Sequence, residues 1–409
     1  MSNPHETERE APSKPVESNP GSQQGGGSVQ PGATDDQRGR QGPQQVLAGA
    51  LQAIRLATAW SEADANTLAA VRIHGEHAFE ATDALVAAPL YLRDGQLLHS
   101  LILRPDATPL ADVYVGRDDE DYLLLADGVS AAALADFAAA QLPAGLSYGI
   151  DDLRQTYSLL SLHGPYAWEL LEHLTSPDVI GLPYLNFFRF EDWLCFRTGK
   201  TGEYGYDLLL PRDALADVKA RLQQVGAAYD LQPVDAAALS QCSLENWFFN
   251  IHQPGLSGLT PLELQLQWRV SYQKDFVGSA ALRKRREDGI SQRICCVVSG
   301  GPLSVDDPVF CADEAIGTLV VAGYSSTRGD WVAVALLQRA YAHAGLSGFH
   351  AIHGGERVAL RTVSPPLLDN RSLHVNPQRH RYATRAGDRF PPIVPGQGSG
   401  SGPGPGQGN

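Results

Sequence analysis

The sequence predicts an α+β fold with a separate β domain near its C-terminal end. Two stretches support the α+β part, LAAVRIHGEHAFEATDAL and, about 90 residues later, YSLLSLHGPYAWELLEHL. In each, apolar residues alternate or run together before a glycine and follow a 3.6-residue rhythm after it, which predicts a strand, a turn and a helix. The repeat indicates two related α+β units. Residues 291–372 instead contain strand-like runs separated by turns, which predicts a small barrel or sandwich.

The first α+β unit is expected over residues 46–150. It opens with QQVLAGALQAIRLATAW, whose apolar residues recur at the three- and four-residue spacing of a helix. After the first glycine turn, LLHSLILRPDATPLADVYVGRDDEDYLLLAD predicts three strands, because PDATP and RDDED supply the residues of tight turns.

The second unit is expected over residues 151–290. Its hairpin lies in DWLCFRTGKTGEYGYDLLLP, where two apolar runs flank a glycine-rich turn. In the β domain that follows, Gly300-Gly301 and Gly354-Gly355 mark turns. One stretch of this domain, VAVALLQRAYAHA, suits a strand as well as a helix.

Both ends of the chain have a composition that cannot support a core. The 409 residues include 41 Gly and 27 Pro, and the excess is concentrated in residues 1–45 and 387–409. We therefore expect a disordered tail over 1–45, and over 373–409 an extension that ends in a second one. The opening MSNPHETERE lacks the apolar segment of a secretory signal. No apolar run approaches the roughly 18 residues of a membrane span, so no membrane segment is expected.

Charge and cysteine content narrow the function. The 32 basic and 46 acidic residues give a net charge of −14, which argues against a nucleic-acid partner. The five cysteines include no CxxC pair, and their odd number suits a reducing compartment, so a cytoplasmic location is expected. The twelve histidines show no HExxH spacing, so no metal site is expected.

Glu203 is a candidate binding residue because it lies in the glycine-rich turn TGKTGEYGYD. Glycines let a backbone approach a ligand closely, and a carboxylate there can accept two N–H bonds from a planar amidine-like heterocycle. The residues alone leave a second interpretation open, a polar hairpin tip without a ligand.

Further acidic residues stand in apolar surroundings. Asp112 interrupts the run PLADVYVG, where an isolated carboxylate is costly unless it is bonded or functional. A strand start satisfied by backbone amides is the alternative. Glu245 lies in CSLENWFF, and Glu263 follows Thr260 at the spacing of a capping box, which is the favoured interpretation of that pair.

The hairpin RTGKTGEYGYDLLLP resembles RTGYTGEDGFE, a signature of the tetrahydrofolate-dependent aminomethyltransferase family that includes the T-protein of glycine cleavage. Further stretches are similar to family motifs and follow in the family's order from about residue 68 to about residue 368: PLADVYVGRDDEDYLLLAD, SLHGPYAWELL, LTPLELQLQWRVSYQKDFVGSAAL and IGTLVVAGYSSTRGDWVAVALL. The resemblance therefore covers nearly the whole predicted core.

The resemblance implies two ferredoxin-like folate-binding domains and a C-terminal β-barrel domain around a central pocket, with tetrahydrofolate as cofactor. Glu203 then corresponds to the glutamate that holds the pterin ring. Asp112 corresponds to the catalytic aspartate near N5 and N10, an acid/base or electrostatic residue. Tyr206 and Trp268 correspond to aromatic positions near the pocket or its supporting core. Glu245, retained from the family's RLEAG segment, is the remaining cofactor-binding candidate.

Two departures bear on the substrate. Lys200 replaces the tyrosine of the family's GYTGE, and Ser243 replaces the arginine of RLEAG, a charged contact for the folate tail or a carrier surface. We therefore expect a one-carbon transferase, aminomethyl or methyl, that acts on a small methylated or aminomethyl donor other than the lipoyl-bound group of glycine cleavage. A lipoyl carrier protein remains a further candidate partner.

A folate-binding relative without catalysis is the alternative function. It would act through protein contacts or in iron–sulfur cluster maintenance. The iron–sulfur branch carries a KGCYxGQ motif, and this chain has QKDFVGSAAL, without the cysteine, at the equivalent place.

Overall fold

The computed structural model describes residues 43–395, and the first described elements are helix α1 (Pro43–Leu56) and strand β1 (Ala59–Glu62). Residues 1–42 and 396–409, most of the two predicted tails, lie outside the described residues. Helix α1 includes residues 43–45, which the sequence analysis placed in the N-terminal tail. Proline suits the first position of a helix, where an N–H would have no partner.

The first sheet consists of β2 (Leu68–His74), β3 (Leu97–Leu103), β4 (Pro109–Asp118), β5 (Asp121–Asp127) and β6 (Gly149–Asp152). Its strands are antiparallel in the spatial order β3-β4-β5-β2-β6. The three strands predicted before residue 128 are thus confirmed. Helices α2 (Ala78–Leu85) and α3 (Ala131–Gln141) pack their buried residues, such as Leu85 and Leu134, on this sheet.

The second sheet contains β1 together with β7 (Tyr157–His163), β8 (Phe187–Phe190), β9 (Trp193–Phe196), β10 (Gly205–Pro211) and β11 (Gln232–Pro233). Its order is β11-β1-β7-β10-β9-β8. The predicted hairpin is confirmed, since β9 and β10 pair in antiparallel fashion. Helices α4 (Ala167–Leu174) and α5 (Leu215–Gly226) pack on this sheet.

The first folded residues belong with the second sheet. Strand β1 pairs with β7, and α1 packs Leu51 and Ile54 against Cys242 of helix α6 (Ala236–Glu245). This differs from the predicted bounds, which placed residues 46–150 in one unit. Local periodicity carries no information about a pairing between strands that lie about 100 residues apart.

The two glycine turns of the predicted repeat are formed as expected. Gly75, after β2, has a φ of 107°, and Gly164, after β7, has a φ of 116°. At Gly164 a Cβ atom would lie 2.5 Å from the carbonyl oxygen of Ala57. Only glycine fits such a turn, because a side chain would clash and the backbone angle is left-handed.

The C-terminal β domain is a closed barrel. After helix α7 (Ser279–Asp288) it contains β12 (Gln292–Ser299), β13 (Pro308–Cys311), β14 (Glu314–Ser325), β15 (Asp330–Gln338), β16 (Phe349–His353) and β17 (Glu356–Val363). The order β12-β15-β14-β13-β16-β17 closes where β17 pairs with β12. The barrel is therefore confirmed over the sandwich, and the stretch left open between strand and helix forms β15.

Residues 364–395 form a C-terminal strap that packs back onto the second sheet's helices. Tyr382 is buried against Tyr166, with ring centroids 5.3 Å apart, and Arg381 pairs with Glu172 at 3.0 Å. The Asp369 N–H donates to the Ile393 carbonyl at 2.7 Å. Residues 387–395 were predicted to be part of the disordered tail, but this hydrogen bond and the contact of Arg371 with the Phe390 ring tie them to the start of the strap.

Two further features concern the chain's environment. The five cysteines all carry free thiols. Among residues 43–395, none of the helices has the length and apolar character needed to cross a membrane.

The two sheets pack face to face, and Phe196 lies at the centre of their contact. Phe196 is fully buried between apolar residues of both sheets. Its ring centroid lies 5.3 Å from that of Phe187. This contact fixes the second sheet's hairpin, and the loop it carries, relative to the first sheet.

We predict that Phe196→Ala lowers the free energy of unfolding by about 3–5 kcal/mol, because it leaves a cavity in this contact. Urea unfolding followed by circular dichroism measures the change. Phe79→Ala is the matched control, since Phe79 is 49% exposed on α2. Equal losses for both variants would show that the sheet contact does not depend on Phe196.

Candidate functional site

A cavity of about 610 Å³ lies beside the glycine-rich loop that joins β9 to β10. Its wall combines aromatic side chains, two arginines, loop residues and part of the strap: Tyr184, Tyr204, Trp247, Phe248, Trp268, Arg197, Arg269, Gly199, Gly202, Glu203, Gly205, Asn246, Pro365, Pro366, Asn370, Ser372 and Leu373. A groove of about 680 Å³ on the barrel contains none of the predicted site residues. The smaller cavity is therefore the candidate site.

The loop's glycines let other segments approach it. Gly199 and Gly202 have φ angles of 137° and 79°. A Cβ atom at Gly202 would lie 2.5 Å from the side-chain nitrogens of both Asn246 and Asn370. Since these asparagines come from the end of α6 and from the strap, the glycine lets three segments meet at the cavity wall.

Glu203 lies on the cavity wall, where the strap holds its carboxylate. Oε1 accepts the Arg371 N–H at 3.2 Å, and Oε2 accepts the N–H and hydroxyl of Ser372 at 2.8 and 2.6 Å. Burial raises the pKa of Glu203 to about 7, against the lowering effects of Arg55 and Ser372. Glu203 thus lies on the cavity wall with protein donors bound to both oxygens of its carboxylate.

Asp112 lies on β4 behind the cavity wall, surrounded by three nitrogen donors. His99 Nε2 is 2.5 Å from its Oδ1, while Lys200 Nζ and Arg269 Nη1 each donate to Oδ2 at 3.0 Å. Lys200 also donates to Asp127 at 3.0 Å. We call these five residues the Asp112 cluster. Of its members, Arg269 lines the cavity.

The cluster keeps Asp112 ionised. Burial alone would raise its pKa, but Lys200, His99 and Arg269 outweigh burial and hold the pKa well below its usual range. Asp112 and Asp127 likewise raise the pKa of Lys200 against the effect of burial. Two carboxylates therefore face two cations, and the cluster carries no net charge while His99 is neutral.

His99 is the member of the cluster whose charge changes in the acidic range, below the ordinary pKa of a histidine. Burial lowers its pKa, with Asp112 opposing, so the ring is neutral at pH 7. Because an ionised carboxylate can only accept, Nε2 carries the proton and Nδ1 is left as the basic nitrogen. The ring stacks on Tyr114 at a centroid distance of 4.3 Å.

Two residues expected at the cofactor belong to the framework instead. Tyr206 is 2% exposed and packs in the core beneath the second sheet's helices. Glu245 is fully buried at the end of α6, 3.1 Å from Arg55 Nη2 and bonded to Gln241. Neither is among the residues that line the cavity. By contrast Trp268, 65% exposed, lies on the cavity wall.

Several site residues were missed by the sequence reasoning. His99 could have been singled out, because it is a polar residue within the apolar strand LLHSLIL. In the structure it lies directly opposite Tyr114 of the neighbouring strand. Lys200 was noted only as a departure from the family, Arg269 lies in the family-like stretch LTPLELQLQWRVSYQKDFVGSAAL without having been singled out, and Ser372 stands in a segment without a recognisable pattern. Their partners are distant in sequence, so spacing could not connect them. The predicted contact between Thr260 and Glu263 is present, with the Thr260 N–H donating to the Glu263 carboxylate at 3.0 Å, but residues 261–265 form a turn and not the first turn of a helix.

Comparison with known proteins agrees with this architecture. The GCVT N-terminal domain matches residues 40–274, and the glycine cleavage T-protein C-terminal barrel domain matches residues 292–369. This chain belongs to the glycine cleavage T-protein family. Aminomethyltransferases of this family use tetrahydrofolate, so the family and the cofactor class predicted from the sequence are confirmed.

Relatives within the T-protein family differ in how much of this chain they cover. An aminomethyltransferase of Flavobacterium psychrophilum is 28% identical over 154 residues, which is 36% of this chain and 43% of that protein. One of Desulfitobacterium hafniense strain Y51 is 28% identical over 289 residues, 68% of this chain and 78% of that protein. One of Listeria monocytogenes is 25% identical over 264 residues, covering 62% and 71%.

A solved structure shares the fold. The glycine cleavage system aminomethyltransferase T from Bartonella henselae aligns with a TM-score of 0.70 at 22% identity, covering 80% of this chain and 91% of that one.

Within residues 43–395, no group of three or more His, Cys, Asp and Glu side chains is arranged to hold a metal ion.

The raised pKa of Glu203 predicts a pH-dependent stability. The pKa of Glu203 is about 7 in the folded chain and 4.5 in the unfolded chain. The contribution of Glu203 to the free energy of unfolding is therefore complete below about pH 4.5 and is lost as the pH rises through about 7. The loss amounts to about 3 kcal/mol. Glu203→Gln lacks this carboxylate, so its stability relative to wild type should increase over that range. Urea unfolding at several pH values measures this, and parallel curves for the two proteins would contradict it.

Proposed function

We propose that this chain transfers a one-carbon unit, aminomethyl or methyl, between tetrahydrofolate and a small methylated or aminomethyl substrate. One observation carries the proposal. The cavity of a chain from an aminomethyltransferase family has Glu203 on its wall and the Asp112 cluster directly behind it. We also propose that the two helix-covered sheets are ferredoxin-like units and that this cavity is the family's central pocket.

The residues of the wall suit a folate. Trp247, Phe248 and Trp268 offer faces on which a planar ring can stack, and Arg197, which donates a hydrogen bond to the Leu182 carbonyl, offers positive charge to an anionic tail. Arg197 would compensate for the family's arginine that is replaced by Ser243, since the charge of Arg269 is balanced by Asp112. Bound tetrahydrofolate would supply the N5 and N10 nitrogens between which a one-carbon unit is carried.

The Asp112 cluster would serve the proton movement that such a transfer requires. Asp112 is held ionised, so we assign it an electrostatic role instead of proton exchange. His99 offers Nδ1 as the basic nitrogen of the cluster, and Asp112 would stabilise the imidazolium through Nε2 when the ring is protonated. Arg269 would extend the electrostatic effect of the cluster to the cavity wall, because it donates to Asp112 and also lines the cavity.

Lys200 bears on the choice of substrate. Its ammonium group bridges Asp112 and Asp127, so a cation that depends on those carboxylates would compete with it. We therefore propose a donor other than the lipoyl-bound group of glycine cleavage, with a lipoyl carrier as a second candidate partner. We also propose a cytoplasmic location for the protein, because its five cysteines are free thiols. The non-catalytic alternative finds no support among relatives that are named aminomethyltransferases.

We predict that tetrahydrofolate binds the chain and that Trp268→Ala weakens this binding about tenfold, because a stacking face is lost. Trp268 is 65% exposed, so its replacement leaves the core intact. Anaerobic calorimetry measures the affinity, and Tyr91→Ala is the matched control, since Tyr91 is 93% exposed and lies outside the cavity wall.

Absence of binding to the wild-type chain and to every variant would contradict the proposed function. Where binding is found, a panel of methylated and aminomethyl donors, scored for methyl- or methylene-tetrahydrofolate, identifies the substrate class. A binding protein that converts none of them would contradict the transferase activity while leaving the cofactor assignment in place.

A further inference from the structure

The turn Arg371–Leu373 of the strap meets the ligand acceptor of the cavity directly. The family's barrel domain matches up to residue 369, so this turn lies beyond the matched region. It contributes Ser372 and Leu373 to the cavity wall. Its contacts with Glu203 are therefore a feature of this chain that the family match does not explain.

The turn binds Glu203 with a ligand-like geometry. Two adjacent backbone N–H groups, those of Arg371 and Ser372, donate to different oxygens of the carboxylate at 3.2 and 2.8 Å. A planar heterocycle with two N–H donors on neighbouring atoms would pair with a carboxylate in the same bidentate manner. The turn thus occupies the positions that such a head group needs.

The acceptor capacity of Glu203 makes the two arrangements exclusive. A carboxylate oxygen accepts about two hydrogen bonds, and Oε2 already accepts the N–H and the hydroxyl of Ser372. The hydroxyl is fixed further because it accepts the Tyr204 N–H at 2.7 Å. A bidentate ligand needs a free position on each oxygen, so it cannot pair with Glu203 while Ser372 stays in place.

We propose that Ser372 is an affinity- and specificity-determining residue: the turn Arg371–Leu373 is an internal ligand of Glu203, and the head group of the cofactor must displace it. The inference rests on the proposed function, since it takes tetrahydrofolate as the ligand. A ligand with only one N–H donor, or with a carbonyl at that edge, gains too little at Glu203 to displace the turn and is rejected.

The turn can move without detaching the strap. Leu373 is 71% exposed, so the turn itself buries little apolar surface. Firm anchors lie on both sides of it. Asn370 accepts from Arg55 at 2.8 Å and donates to Asn246 at 2.7 Å, and Val375 is buried. Displacement therefore requires a local change between residues 370 and 375.

The test compares tetrahydrofolate binding by the full chain and by Ser372→Ala, with Thr384→Ala as control. Thr384 is an exposed strap residue whose hydroxyl bonds the Arg381 carbonyl, away from Glu203. Ser372→Ala removes one charge-assisted competitor, so affinity should increase about tenfold, while Thr384→Ala leaves it unchanged. Amide hydrogen exchange of the wild-type chain should show faster exchange of peptides covering residues 370–375 when tetrahydrofolate is bound.

Two results would overturn the proposal for Ser372 alone: tetrahydrofolate binds, yet Ser372→Ala does not tighten binding, or the 370–375 amides stay equally protected in the complex. The exchange measurement uses the wild-type chain, so it decides the question even if the variant misfolds. Binding by Ser372→Ala but not by wild type would support it strongly. No binding by any of the three proteins would overturn the proposed function, and the role of Ser372 would fall with it.

Discussion

The balance of charge around one buried carboxylate is the constraint on which the site depends. Asp112 is held by His99, Lys200 and Arg269, which come from β3, from the glycine-rich loop and from the segment before α7. A buried carboxylate without such partners would be strongly destabilising. The cluster therefore joins both sheets and the chain segment leading to the barrel at one point, and it places Arg269 on the cavity wall.

A second buried network shapes the opposite side of the cavity. Arg55, from the first helix, pairs with Glu245 and also bonds Asn370 of the strap, so it joins α1, α6 and the strap. The strap then reaches Glu203 through the turn at Ser372. The cavity is thus bordered by two polar networks, one centred on Asp112 and one that extends from Arg55 through the strap to Glu203.

Local features of the sequence predicted the elements but not their partners. The glycines at 75 and 164 marked strand–helix turns, because only glycine fits there, and Asp112 was recognised as a buried carboxylate in need of bonds. The pairing of β1 with the second sheet and the approach of Ser372 to Glu203 join residues about 100 to 170 positions apart. No periodicity or spacing records such contacts. Tyr206 shows that a residue of a family motif can pack in the core instead of lining the cavity.

The most direct test of this account is the titration of the Asp112 carboxylate, followed by carbon-detected NMR on the full chain with Asp112→Asn as the assignment control. If His99, Lys200 and Arg269 act as described, Asp112 stays ionised between about pH 5 and about pH 8, and the titrating group of the cluster in the acidic range is His99. An Asp112 signal that titrates between those pH values would contradict the electrostatic role and would show that Asp112 itself exchanges a proton.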